Sequence, residues 1–135
     1  MAVFADIPSN ARVLDLGCGA GLDSLIAARR AGPRGRVIGL DFSDEMLTRA
    51  RDAAAQVGDG NIAFCRADAE RQPLDDGSVD VALVNGIFNL NPARGAIFRE
   101  LARVVRAGGT VFAAEIILRE RLPATTQFSE ADWFA

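Results

Sequence analysis

The chain has 135 residues, half of them apolar and 24% charged; that is the profile of one folded domain rather than of a disordered or membrane-embedded chain. Its net charge of −3 and scattered arginines argue against a nucleic-acid-binding surface. It contains no histidine, tyrosine or lysine, so a Ser-His-Asp triad, a histidine-ligated zinc, a Schiff-base lysine and a tyrosine acid are all excluded within it, and a cofactor is expected to carry any difficult chemistry.

Along the chain, RVLDL (Arg12 to Leu16) has the length and apolarity of a strand and runs into the glycine cluster Gly17, Gly19, Gly21. From Leu22 the apolar spacing becomes helical, through Leu25, Ile26 and Ala28, until Gly32 and Pro33 stop it. RVIGL (Arg36 to Leu40) is a second strand ending at Asp41. Ser43 then reads as an N-cap with Asp44 and Glu45 in the first turn, and Leu47, Ala50, Ala54 and Val57 form the buried stripe of the next helix.

A turn at Gly58 to Gly60 leads to a third strand, Ile62 to Arg66, and Asp68 to Ser78 is a polar loop. VDVALV (Val79 to Val84) is apolar enough to be buried on both faces. Asn91-Pro92 opens a helix with Ile97, Leu101, Val104 and Val105 on its apolar side, closed by Gly108-Gly109. Thr110 to Leu118 is the fifth strand. Strands alternating with helices predict a single α/β domain, a doubly wound and mostly parallel sheet with right-handed crossovers. Near the end, Ser129 and Asp132 with Phe128 and Trp133 have the spacing of a helix start. That helix is cut off at Ala135, so residues 1–135 are expected to be a core belonging to a longer chain.

No apolar run approaches the ~18 residues of a membrane span. The opening MAVFADIPSN lacks the basic start of a secretory signal, and two cysteines without a CxxC fit a reducing compartment. A cytoplasmic protein without membrane, nucleic-acid or resident-metal partners is expected.

In a doubly wound sheet, ligands sit at the carboxyl ends of the strands, where the strand order reverses. The residues placed there are Asp15 with Gly17, Cys18, Gly19 and Gly21, then Asp41-Phe42, then Asp68-Ala69-Glu70, then Asn85-Gly86. Glycines allow positive φ and close approach of a ligand to the backbone. An acid after the second strand is placed to hydrogen-bond a ribose diol, and one after the third can accept from an adenine amine. Phe42, with Met46 one turn further on, can lie against a purine. Together these describe a site for an adenosine-containing ligand.

The dinucleotide fingerprint GxGxxG wants a third glycine where this chain has Leu22. The segment VLDLGCGAG instead resembles motif I of the class I S-adenosylmethionine-dependent methyltransferases. The resemblance continues through VIGLDFS, RADAERQPLDDGSVDVALV and VVRAGGTVF. Within that superfamily, LDLGCGAGLDSLIAARRAGPRGRVIGLDFSDEMLTRAR, VNGIFNLNP and VVRAGGTVFAAEIILRERLP are most similar to the arsenite methyltransferases and their near relatives. The resemblance implies a Rossmann-like methyltransferase fold, here without the family's amino-terminal cover helices and its finishing antiparallel strand pair. It implies S-adenosylmethionine as cofactor and a small-molecule methyl acceptor, arsenite-like or another soft nucleophile.

Residue by residue, it implies that Asp15, Gly17, Cys18 and Gly19 surround the methionine moiety and that Asp41 holds the ribose hydroxyls. Phe42 and Met46 border the adenine, Asp68 to Glu70 line its polar edge, and Asn85 and Gly86 close the site on the sulfonium side. Where the arsenite enzymes carry a cysteine after the fourth strand, this chain has Gly86. No catalytic residue is assigned; Glu115 is the one acid placed to meet an acceptor. An NAD-binding oxidoreductase and a non-catalytic cofactor-binding module are the alternatives.

Overall fold

The computed structural model describes residues 1–89, 91–117 and 119. Its elements are β1 (Arg12–Leu16), α1 (Leu22–Ala31), β2 (Arg36–Asp41), α2 (Asp44–Val57), β3 (Ile62–Arg66), β4 (Val79–Asn85), α3 (Arg94–Val104) and β5 (Val105–Ala114). The strands form a 5-stranded sheet in the order β3-β2-β1-β4-β5, and every neighbouring pair is parallel. The chain winds outward from β1 through β2 to β3, then crosses back to β4 and on to β5. The order therefore reverses between β1 and β4, and the helices divide between the two faces.

Alternation along the central strands makes two apolar cores. Val13, Val37, Val81 and Leu83 meet Ala27, Ala28 and Ala31 of α1 on one face. Leu14, Leu16, Leu40, Ala82 and Val84 meet Ile97, Leu101 and Val104 of α3 on the other. Because β1 and β4 point side chains into both cores, they read as unbroken apolar runs.

The residues that mark α1 in the sequence are not the ones that bury it. Ser24, Ala27, Ala28 and Ala31 face the sheet, whereas Leu22 is 71% exposed. Small residues at this spacing let the helix approach β1 and β2 closely. In α2, Ser43 caps as expected, its side chain accepting from Met46 N–H at 3.3 Å. The buried stripe is shorter than the spacing suggests: Leu47 and Ala50 are buried, Ala54 is half-buried and Val57 is exposed.

Two expected boundaries move. The third helix starts at Arg94, not at Asn91-Pro92, because Asn91 Oδ1 accepts from Ala93 N–H at 2.7 Å and holds a turn ahead of it. Gly108-Gly109 do not close that helix, which ends at Val104. β5 follows at once, and its register with β4 jumps from Val79↔Val105 to Val81↔Thr110. The intervening residues form a bulge. Gly108 supplies φ +76°, and a Cβ on Gly109 would lie 2.8 Å from the Asp80 carbonyl. The strand ends at Ala114; Leu118 and the helix start around Phe128, Ser129, Asp132 and Trp133 lie outside the described residues.

β3 and β4 are joined by a loop without a helix, and Arg103 of α3 anchors it. Its guanidinium donates to the carbonyls of Leu74 and Gln72 and to the carboxylates of Asp76 and Glu100, at 2.6 to 2.9 Å. Gln72 N–H donates to Glu100 Oε2 at 2.7 Å. This anchorage fixes where the loop's first residues, Asp68 to Glu70, stand relative to the strand ends.

Candidate functional site

The glycine turn after β1 depends on backbone conformations that side chains disfavour. Gly17, Gly19 and Gly21 have φ of +72°, +53° and +86°. Gly17 is also packed: a Cβ there would lie 2.3 Å from Ile87 Cδ1. Gly21 has Ala50 of α2 and the ring of Phe64 at 3.0 and 3.2 Å from the same position. The turn is thus wedged between the loop after β4 and the α2–β3 layer.

Asp41, at the end of β2, ties this turn to the next. Its Oδ2 accepts from Gly19 N–H and its Oδ1 from Ser43 N–H, both at 2.9 Å, and the residue is 9% exposed. On the far side of the switch point, Gly86 N–H donates to the Ala114 carbonyl at 2.9 Å. Glu115 accepts from Phe88 N–H at 2.8 Å and from Asn89 N–H at 3.3 Å. Asn85 reaches back over β1, its Nδ2 lying 3.4 Å from Asp23 Oδ2 in the first turn of α1.

These loops enclose a cleft of about 430 Å³ at the carboxyl ends of β1, β2 and β4, within the range of small-molecule sites. Gly17, Asp41 and Phe42 line it, as do Asp68, Ala69 and Glu70 from the anchored loop and Asn85 and Gly86 from the β4 end. Phe42 is 68% exposed and stands at the rim. The predicted residues that do not line it are Asp15, Cys18, Gly19, Gly21 and Met46. Gly19 and Gly21 shape the turn. Met46 lies in the first turn of α2 and is half-buried.

Asp15 and Cys18 lie beneath the turn. Asp15 is 2% exposed, and Ser24 Oγ donates to its Oδ2 at 2.6 Å. Burial pushes its carboxyl up to about 6, against the pull of that hydrogen bond. Cys18 points over β2, where a Cβ on Gly39 would sit 2.9 Å from its Sγ. Burial, with the charges of Asp15 and Asp41, pushes this thiol up to about 12.

Three participants were not singled out from the sequence. Ile87 lines the cleft and abuts Gly17. Asn91 lines it too and donates to Glu70 Oε1 at 2.9 Å, presetting that carboxylate. Ser24 neutralises part of the cost of burying Asp15. Asn91 was visible only as a helix signal, and Ser24 only as one position of a helix; neither announces its partner.

Chemically the cleft is rich in acceptors. Carboxylates project from consecutive strand ends, and among the described residues no arginine lines it. Such a lining suits a ligand that donates hydrogen bonds or carries positive charge, and it repels the pyrophosphate of a dinucleotide. Fold and site together define a doubly wound α/β domain with an acceptor-lined cleft at its switch point.

Comparison with known proteins narrows the class. A family described as a methyltransferase domain matches residues 7–133, and the chain belongs to it: it is a class I S-adenosylmethionine-dependent methyltransferase domain. It is 36% identical over 124 residues to an arsenite methyltransferase of Halobacterium salinarum, covering 92% of this chain and 32% of that protein. It is 35% identical over 103 residues to a demethylmenaquinone methyltransferase of Lactococcus lactis, covering 76% of this chain and 41% of that one. Among solved structures, an arsenic(III) S-adenosylmethionine methyltransferase from Chlamydomonas reinhardtii superposes with a TM-score of 0.77 at 33% identity, covering 85% of this chain and 42% of that chain. The chain therefore spans less than half the length of these relatives. The oxidoreductase alternative gives way to this family.

Proposed function

We propose that the domain binds S-adenosylmethionine in the switch-point cleft and serves methyl transfer to a small, soft nucleophile. The observation that carries this reading is the convergence of Asp41, Asp68 and Glu70 with the Gly17–Gly21 turn on one acceptor-lined cleft. When bound there, the cofactor supplies an electrophilic methyl group on positively charged sulfur. Asp41, already oriented by two backbone N–H groups, offers its remaining lone pairs to the ribose hydroxyls. Asp68 to Glu70 accept from the adenine edge, with Phe42 against the ring and Met46 behind it. The glycine turn, with Asp15 and Ser24 bonded beneath it, takes the methionine part, and Asn85 and Gly86 form the wall on the sulfonium side. Alignment and exclusion of water then do most of the work, so a chain without histidine, lysine or tyrosine suffices.

The acceptor that fits best is a soft carbon-centred or similarly polarisable nucleophile, since it needs no strong protein base. Arsenite is a second reading, favoured by the similarity to two arsenic methyltransferases. The cysteines of this chain do not serve it. Cys18 faces Gly39 on one side of the sheet, while Cys65 packs against the α3-side core on the other. Gly86, in the family's cysteine position, has φ +71° and no side chain. The two free cysteines support a reducing compartment such as the cytoplasm. Among the described residues, no helix is long and apolar enough to cross a membrane.

Calorimetry with S-adenosylhomocysteine and NAD tests the reading. The wild type should bind the first and not the second. Asp41→Ala should weaken S-adenosylhomocysteine by about a hundredfold, the equivalent of one or two charge-assisted hydrogen bonds. Asp41→Asn, which keeps one acceptor, should fall between. Unchanged affinity in both folded variants would remove Asp41 from the site. Binding without turnover on any acceptor in the intact protein would reduce the domain to a cofactor-binding module.

A further inference from the structure

Glu115 stands just beyond β5, where sequence alone suggests an acid facing the methyl acceptor. The structure gives its carboxylate other partners. Oε1 accepts from Phe88 N–H at 2.8 Å and Oε2 from Asn89 N–H at 3.3 Å. Asn89 donates a second time, through its Nδ2 to the Ile116 carbonyl, and Gly86 N–H donates to the Ala114 carbonyl. Residues 86–89 therefore donate and residues 114–116 accept in all four of these hydrogen bonds. The same loop holds Gly86 and Ile87 in the cleft wall, and Ile87 Cδ1 occupies the space a Cβ on Gly17 would need. Phe88 is anchored as well, buried in the α3-side core and stacked on Phe98 with ring centroids 4.5 Å apart.

We infer that Glu115 is a positioning residue: it chelates two successive backbone N–H groups and so sets the wall against which the cofactor's sulfonium side is held. The inference rests on the cofactor reading above for what the cleft contains. Asp41 plays the corresponding part across the switch point, where it accepts from Gly19 and Ser43. Two carboxylates, one at the end of β2 and one just beyond β5, thus brace the two loops between which β1 delivers the glycine turn. The residue type follows from the task. A carboxylate has two acceptor oxygens and no donor, so both N–H groups can be satisfied by one side chain. A carboxamide satisfies one and opposes the other with its own N–H. Both oxygens of Glu115 are turned toward the loop by these bonds.

The test combines amide exchange with ligand affinity in the intact protein and its Glu115→Ala, Glu115→Gln and Glu115→Asp variants. In Glu115→Ala, the Phe88 and Asn89 amides should exchange at least about tenfold faster, and S-adenosylhomocysteine should bind about tenfold more weakly, as expected for losing a charge-assisted pair. The Gly19 and Ser43 amides, held by Asp41, should keep their protection. Glu115→Gln should retain protection at one of the two amides and recover part of the affinity. Glu115→Asp, which keeps both oxygens on a shorter arm, should lie closer to wild type.

Unchanged exchange at Phe88 and Asn89 would overturn the clamp. Lost protection there with full affinity would overturn its positioning role, as would faster exchange spread evenly over β4 and β5. A pH-dependent loss of transfer rate at full affinity would restore Glu115 as a proton acceptor and refute the inference. Failure of the wild type to bind S-adenosylhomocysteine would remove the cofactor reading, while the exchange comparison would still decide the clamp.

Discussion

Asp15 should make this domain less stable at neutral pH than at mildly acid pH, the reverse of the usual behaviour of a native carboxylate. It is 2% exposed in β1, its carboxylate accepts from Ser24 Oγ at 2.6 Å, and burial pushes its carboxyl from 3.8 up to about 6. In the unfolded chain the group titrates near its ordinary value. Below about pH 4 both states are protonated and Asp15 contributes no pH dependence. Between about 4 and 6 the folded state keeps a proton that the unfolded state has lost, so stability falls as pH rises. Above about 7 both are ionised, and the full displacement, about 3 kcal/mol, stands against folding.

Asp15→Asn removes the charge and keeps an oxygen for Ser24. Its stability relative to wild type should therefore grow by about 2 kcal/mol between pH 4.5 and pH 7.5, whatever constant offset the carboxamide introduces. Urea unfolding of both proteins at those two pH values, without ligand, measures it. A difference that stays constant with pH, or shrinks, would refute the assignment of Asp15 as a buried, high-titrating acid.

Gly17→Ala should destabilise the domain by about 2–4 kcal/mol, from a left-handed alanine and a displaced Ile87; its Cβ would sit 2.3 Å from Ile87 Cδ1. Urea unfolding measures this, and a loss under about 1 kcal/mol would show that the loop after β4 yields freely. Cys18, buried and with its thiol pushed up to about 12, should resist iodoacetamide at pH 8 in the folded protein while the half-buried Cys65 is alkylated first. Peptide mass mapping reads the order, and equal labelling would contradict the placement of Cys18 beneath the glycine turn.

Much of the fold is legible because it rests on local rules. Apolar runs, Ser43 as a cap and Gly32 as a stop place β1, β2, β3, β4 and the first two helices within a residue or so. The strand-end carboxylates follow from that order, since a doubly wound sheet puts its ligand where strands end. The misread pieces are those where a local signal serves a distant partner. Asn91 looks like a helix cap but holds a turn and presets Glu70. Gly108-Gly109 look like a helix stop but make a bulge that lets β5 pass Asp80. Leu22 looks buried, yet the alanine face of α1 is the one that fits against the sheet.

The sequence by itself determined the class of chemistry, because the absence of histidine, lysine and tyrosine and the spacing of acids and glycines are one-dimensional facts. Only the tertiary structure decided which of those acids face the cleft and which are committed elsewhere. Asp15 is bonded to Ser24 under the turn, and Glu115 to the Phe88 and Asn89 amides. The physical reason is that a carboxylate's role is set by the donors within 3 Å or so of it, and these come from segments far along the chain whose meeting depends on the strand order.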